Sequence, residues 1–269
     1  ILNTCGGIID DIVAMRLSDD EMYVVTNAGP LETVSPMLKR SCGACDLSSS
    51  TAKIDVQGPL SRDVLLRMGF SDIDRLKFYT VCKTQWQGQD IIISRSGYTG
   101  ELGYELFIPN DLAEPLWSAL LQFEEVAPAG LGARDTLRLE MGYPLYGQDI
   151  DTAHTALESG FGAMIDWTVD FIAHDYLQVQ QETDRYPVRV GIRSKSRRAP
   201  RQGYVVYANG MPVGEVTSGC YGPSVGCGVG MAYVPIELSR PGTPLTCGPK
   251  DMEIETALLP FYQGATGRS

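Results

Sequence analysis

Residues 204–216 read YVVYANGMPVGEV. Two runs rich in β-branched and aromatic side chains flank Asn209-Gly210, the dipeptide that supplies the two positive φ angles of a tight hairpin turn. The same character continues outward, in VRVGI (188–192) before the hairpin and in GVGMAYV (228–234) and MEIETALL (252–259) after it. Short strands punctuated by turns predict a β-barrel-like C-terminal domain over 185–269. Upstream the pattern is mixed. Strands are predicted over 8–15 (IIDDIVAM) and 22–27 (MYVVTN) around a turn at Ser18-Asp19-Asp20, and over 52–57, 79–84, 90–95 and 104–108. Helices are predicted over 60–68, over 111–124 behind an Asn110 cap, and from Leu131 to Met141. The fold class is therefore α+β, with a β-rich end.

Composition narrows the function. The 269 residues carry 22 Lys+Arg against 33 Asp+Glu, a formal charge of -11, which opposes binding to a phosphate backbone and leaves room only for a local anion pocket. No nucleic-acid partner is expected. No apolar run reaches the roughly 18–20 residues of a membrane span, so no membrane partner is expected either. Seven cysteines, an odd number for a chain of this length, fit a reducing compartment such as the cytoplasm or an organelle matrix. Cys42-Gly-Ala-Cys45 has no second pair at zinc spacing, and His154 and His174 have no third partner, so no metal site is expected.

Three polar positions stand out. Asp10 and Asp11 interrupt both faces of the strand predicted over 8–15, and a carboxylate in an apolar row must be paired, hydrogen-bonded or shifted in pKa. Each could be a satisfied structural group or an acid–base residue. Glu105 shares a predicted strand face with Gly103 and Phe107 and follows the turn Ser96-Gly97-Tyr98-Thr99-Gly100. It reads either as a solvent-facing edge-strand glutamate or as a carboxylate that takes two parallel N–H donors from a planar ring. Arg134 and Arg138 lie one helical turn apart, with Asp135 between them, as surface ion pairs do and as an arginine that binds a substrate carboxylate also could. Gly226-Cys227-Gly228-Val229-Gly230 lacks the Lys of a phosphate loop and reads as a turn or bulge.

These residues lie in longer blocks that resemble a known family. Gly6-Gly7-Ile8-Ile9-Asp10-Asp11, Tyr23-Val24-Val25-Thr26-Asn27-Ala28, Val56-Gln57-Gly58-Pro59, Ser94-Arg95-Ser96-Gly97-Tyr98-Thr99-Gly100-Glu101 and Ala129-Gly130-Leu131-Gly132-Ala133-Arg134-Asp135 occur in order. Leu145-Tyr146-Gly147-Gln148-Asp149, Val213-Gly214-Glu215-Val216-Thr217-Ser218-Gly219 and Pro260-Phe261-Tyr262 follow. Together they resemble the aminomethyltransferase (T-protein) of the glycine cleavage system along nearly the whole chain.

The resemblance implies an activity. An aminomethyl group on the lipoyl arm of a carrier, the H-protein, passes to tetrahydrofolate as cosubstrate, with release of ammonia and formation of 5,10-methylenetetrahydrofolate. Asp11 matches the catalytic aspartate, which orients folate nitrogens and stabilises cationic character as ammonia leaves. Glu105 matches the glutamate at the pterin edge, Tyr98 and Asn27 match pocket positions, Arg134 a substrate-contacting arginine, and Arg268 a further C-terminal contact. The implied architecture is a three-subdomain cloverleaf around a central folate cavity. Residues 1–50 with 152–184 form the first subdomain and 51–151 the second, which together make a folate-binding body over 1–184. The barrel over 185–269 is the third. The compartment implied is the bacterial cytoplasm, or the mitochondrial matrix in a eukaryote.

Some features depart from the family. Its chains extend upstream of the block at Ile1–Asp11, so a further segment of the cavity wall is expected there. Phe78 stands where a Tyr can occur, and the stretches 28–52 and 172–187 look shorter than the family's and read as clipped loops. Two relatives offer other chemistry: a tetrahydrofolate-dependent demethylase, and a folate-binding scaffold for iron–sulfur proteins. Retention of Asp11 favours aminomethyl transfer over the first. Against the second, Cys220-Tyr221-Gly222-Pro223 matches the scaffold's Lys-Gly-Cys-Tyr-x-Gly-Gln motif in three letters only.

Overall fold

The computed structural model describes residues 1–183, 185–249 and 251–267. The chain divides into two compact units. One comprises Ile1–Asp11, Thr26–Val34 and Asp135–Gln263; the other comprises Ile12–Val25, Ser35–Arg134 and the residues from Gly264 onward.

The unit centred on Ser35–Arg134 opens with an antiparallel hairpin, β1 (Val13–Arg16) and β2 (Met22–Val25). The strand predicted over 8–15 thus begins only at Val13, so Asp10 and Asp11 precede it and its alternation of faces does not apply to them. The chain before β1 is held differently: the Ile8 N–H donates to Asp151 O and the Ala156 N–H to Gly6 O. After α1 (Leu31–Cys42) comes a four-stranded antiparallel sheet in the order β3-β6-β5-β4. It is built from β3 (Thr51–Gln57), β4 (Val81–Trp86), β5 (Gln89–Ser94) and β6 (Gly103–Pro109). Two helices, α2 (Ser61–Arg67) and α3 (Ala113–Leu120), cover one face.

Strand alternation sorts the side chains. Ile54, Val56, Ile91, Ile93, Tyr104, Leu106 and Ile108 turn to the helices and form the core with Val64, Leu65, Leu116 and Leu120. Their neighbours Lys53, Asp55, Glu105 and Ser94 lie on the opposite face. β6 is an inner strand, so the edge-strand reading of Glu105 does not hold. The Asn110 cap is also absent: its amide donates to Ser49 O at 2.8 Å, and a 3-10 turn precedes α3, which ends at Leu120 rather than near 124.

α4 (Leu131–Glu140) falls close to its predicted span. The other unit continues with α5 (His174–Thr183) and a closed barrel of β7 (Pro187–Ser194), β8 (Val205–Ala208), β9 (Met211–Gly222), β10 (Cys227–Pro235), β11 (Pro244–Cys247) and β12 (Met252–Ala257). Asn209 and Gly210 have φ of 51° and 79° and join β8 to β9, as the hairpin signal requires. Gly226, at φ 74°, closes the turn before β10. Ile192, Val206, Val216, Val234, Leu245 and Ile254 fill the barrel. The two stretches read as loops contain α1 and α5. α1 carries Pro36 in its interior, a residue that reads as a helix breaker in sequence.

Arg138 is not a surface ion-pair residue. It is 1% exposed, and its guanidinium lies 2.6 Å from the wholly buried Asp149. It also donates to Tyr143 O at 3.1 Å and to the Ser218 hydroxyl at 2.9 Å, and it pairs with Asp135 at 2.7 Å. Asp149 in turn accepts the Leu145 N–H at 2.9 Å and the Thr217 hydroxyl at 2.5 Å. One buried ion pair therefore ties α4, the 143–149 loop and strand β9 together.

Removing one partner leaves a buried charge uncompensated, which costs about 3–5 kcal/mol. Arg138→Met is expected to lose that much in urea unfolding, and Arg138→Met/Asp149→Leu to lose less than the single substitution. A single substitution that costs under about 1 kcal/mol would contradict this.

Candidate functional site

In the unit that carries Asp10 and Asp11, Asn27 brings the two carboxylates together. Asp10 is fully buried; it accepts the Asn27 backbone N–H at 3.2 Å and its side-chain amide at 2.7 Å. The same amide nitrogen donates to Asp11 Oδ1 at 2.6 Å. That nitrogen has two hydrogens, so one side chain serves both acids.

The pair is thereby divided by role. Asp10 is the satisfied structural group, and Asp11 is exposed. Partial loss of water nevertheless pushes the Asp11 pKa up; the Asn27 hydrogen bond pulls it down and the nearby Asp10 charge adds to the rise. The family resemblance marks Asn27 as a pocket position without this role, because nothing in the spacing of residues 10 and 27 reveals a shared hydrogen-bond donor.

The second group lies on the polar face of the four-stranded sheet. Glu105 faces Asp55 across β3 and Ser94 across β5. Its Oε1 pairs with Lys53 Nζ and its Oε2 accepts from the Ser96 hydroxyl. Ser96 has a single hydroxyl hydrogen, so in its 2.7 Å contact with Ser94 the donor is Ser94. Lys53 also lies 3.2 Å from Asp55 Oδ1, and Asp55 Oδ2 lies 3.2 Å from Arg134. Arg134 stacks on Tyr98, its guanidinium carbon 4.8 Å from the ring centre.

Three predicted residues, Glu105, Arg134 and Tyr98, are thus joined through two that the sequence did not mark, Lys53 and Asp55. Burial works against the Lys53 ammonium, but Asp55 and Glu105 outweigh it and its pKa is raised. Burial raises the Asp55 pKa and the Glu105 charge adds to it, while Lys53 and Arg134 oppose the rise.

The turn that carries Ser96 and Tyr98 is fixed from beneath by Gln57. Its amide donates to Ser96 O at 3.1 Å and its oxygen accepts the Thr99 hydroxyl at 3.2 Å. A Cβ on Gly97 or Gly103 would come within 2.0 Å of that oxygen, so a side chain at either position would push the Gln57 amide out of these hydrogen bonds. The Val56-Gln57-Gly58-Pro59 block signals this role, yet only the contacts define it.

Other candidates resolve plainly. Cys42 and Cys45 are free and exposed, and no cluster of three metal-ligating side chains occurs among the described residues. His154 pairs with Asp151 at 2.9 Å and stacks on Tyr233 at 3.9 Å. Phe78 packs edge-on against Tyr79 at 4.4 Å. Arg268 lies outside the described residues. No helix among the described residues is long and apolar enough to cross a membrane.

The architecture matches a solved structure: the glycine cleavage system aminomethyltransferase T from Bartonella henselae superposes with a TM-score of 0.89 at 30% identity, over 99% of this chain and 75% of that one. This places the chain among enzymes of that fold. An aminomethyltransferase from Halothermothrix orenii is 39% identical over 95% of this chain and 74% of its own length, and one from Streptomyces coelicolor is 38% identical over 96% and 74%. The GCVT N-terminal domain model matches residues 1–169 and the glycine cleavage T-protein C-terminal barrel domain model matches 187–263. The chain belongs to the glycine cleavage T-protein family and is an aminomethyltransferase.

The Asn27 clamp yields a direct expectation. Since its hydrogen bond lowers the Asp11 pKa, Asn27→Ala should raise that pKa further, as read by carboxyl 13C NMR titration. An unchanged or lowered value would contradict the assignment.

Proposed function

We propose that the aminomethyl donor is a lipoylated carrier, the H-protein of the glycine cleavage system, and that the acceptor is tetrahydrofolate. One observation carries the reading: of two adjacent acids held by the Asn27 amide, Asp10 is fully buried while Asp11 is exposed and keeps acceptor sites beyond that one hydrogen bond. In this reading Asp11 is the catalytic residue. Its charge orients protonated nitrogen and stabilises positive charge as ammonia departs.

Glu105 and Arg134 bind the acceptor in this proposal. A carboxylate offers about four acceptor sites, and Lys53 and Ser96 engage one oxygen each, so Glu105 retains capacity for the N–H edge of a pterin ring. Arg134, with five donors and an exposed position, suits a ligand carboxylate, and Tyr98 presents a ring face beneath it. Tetrahydrofolate fits this donor and acceptor set, and when bound it supplies the nucleophilic nitrogens that accept the one-carbon unit.

We further assign residues 1–184 to the folate-binding body and 185–269 to the barrel. Bacterial relatives and seven free cysteines support a cytoplasmic setting.

Two substitutions separate the roles. Asp11→Asn keeps shape and removes charge, so the transfer rate should fall while the tetrahydrofolate Kd stays within about twofold of wild type. Unchanged turnover would remove Asp11 from the chemistry. Glu105→Ala should weaken tetrahydrofolate binding by about 1.5–3 kcal/mol, the worth of a hydrogen bond to a charged group. In wild type, transfer should decline as pH falls through the raised Asp11 pKa, because protonation removes the charge that acts.

A further inference from the structure

Asp55 and Glu105 are directly opposed on neighbouring antiparallel strands. Side chains in such pairs have Cβ atoms about 4.5–5.5 Å apart, and like charges there repel. A sheet that places two acids in this way needs a cation between them, and Lys53 is that cation. It stands two residues before Asp55 on the same strand face, opposite Phe107. Its ammonium pairs with Glu105 Oε1 and lies 3.2 Å from Asp55 Oδ1. Lys53 is its own strand's outward residue, and its side chain keeps only 33% of its surface.

The remaining charged and polar neighbours complete the set. From β5 and the turn after it come Ser94 and Ser96, whose hydroxyl relay ends on Glu105 Oε2. From α4 comes Arg134, which pairs with Asp55 Oδ2 at 3.2 Å and stacks on Tyr98. Asp55 Oδ1 is buried, and the Lys53 ammonium 3.2 Å away is what compensates it. Two acids and two bases alternate in a row, from Glu105 through Lys53 and Asp55 to Arg134.

We propose that Lys53 is a positioning residue for recognition of the acceptor: by sharing one ammonium between Glu105 and Asp55 it lets both opposed acids stay ionised and aims Glu105 at an N–H edge, and Asp55 carries the same restraint on to Arg134. The inference rests on the assignment of Glu105 and Arg134 to folate binding. It adds that recognition depends on a charge that never touches the chemistry. Without the ammonium, the opposed acids share a proton at mildly acidic pH, and a protonated Glu105 can no longer accept two donors.

Calorimetric titration with the stable reduced folate 5-formyltetrahydrofolate between pH 6 and 8.5 tests this, with thermal melts confirming that each variant is folded. Lys53→Met should bind about tenfold more weakly at pH 6 than at pH 8, beyond any slope in wild type, the expectation for one linked proton over part of that range. Lys53→Arg should keep the wild-type profile. Lys53→Met/Asp55→Asn should lose the added pH slope, because Glu105 then faces no like charge. A Lys53→Met profile identical to wild type, with Glu105→Ala still weakened, would overturn the role of Lys53 and leave the folate reading intact. A pH-independent loss that neither Lys53→Arg nor the double variant relieves would show packing alone and also overturn it. If Glu105→Ala binds as wild type, the folate reading itself fails and the inference with it.

Discussion

The buried Arg138–Asp149 pair organises the unit that contains the barrel. Each partner is almost free of solvent, and a charge in that setting is tolerable only when its remaining hydrogen-bond sites are met. The structure meets them from three separate segments: Tyr143 O and Leu145 N from one loop, Asp135 from α4, and Thr217 and Ser218 from the barrel strand β9. Such a pair contributes little net stability compared with an apolar core, yet it admits only one arrangement of the segments that supply it. Leu139, one residue along α4, packs against Val229 and Met231 of β10, so apolar contact and ion pairing agree on the same seating of the helix.

In the other unit, the same requirement for charge compensation is met at the protein surface. The four-stranded sheet turns its apolar residues to α2 and α3 and leaves a face on which Lys53, Asp55, Glu105 and Arg134 compensate one another. Because the face is partly hydrated, its groups retain unused donors and acceptors. Arg138 and Arg134 differ in just this respect. They lie one turn apart on a single helix, but the first is buried among its partners and the second is exposed.

How far the sequence could be read follows from these distinctions. Alternation and turn chemistry are local, so β3, β6, α4 and the Asn209-Gly210 hairpin were legible within a few residues of their observed limits. α1 was not, because Pro36 in its interior reads as a helix breaker. Asp11, Glu105 and Arg134 stood out as polar residues in suspicious places. Which of Asp10 and Asp11 is open, and which arginine is buried, depends on partners 17 and 80 residues away in sequence, at Asn27 and Ser218. Lys53 and Asp55 were invisible for a similar reason. They matter only through a cross-strand register that local spacing does not disclose.

In the proposed reaction Asp11 supplies the charge and Glu105 reads the acceptor. The most direct measurement is ammonia release from an aminomethyl-loaded lipoyl carrier, followed with and without tetrahydrofolate. Release is expected to require tetrahydrofolate and to yield one 5,10-methylenetetrahydrofolate per ammonia. Release that is indifferent to tetrahydrofolate, or no release with folate bound, would contradict it.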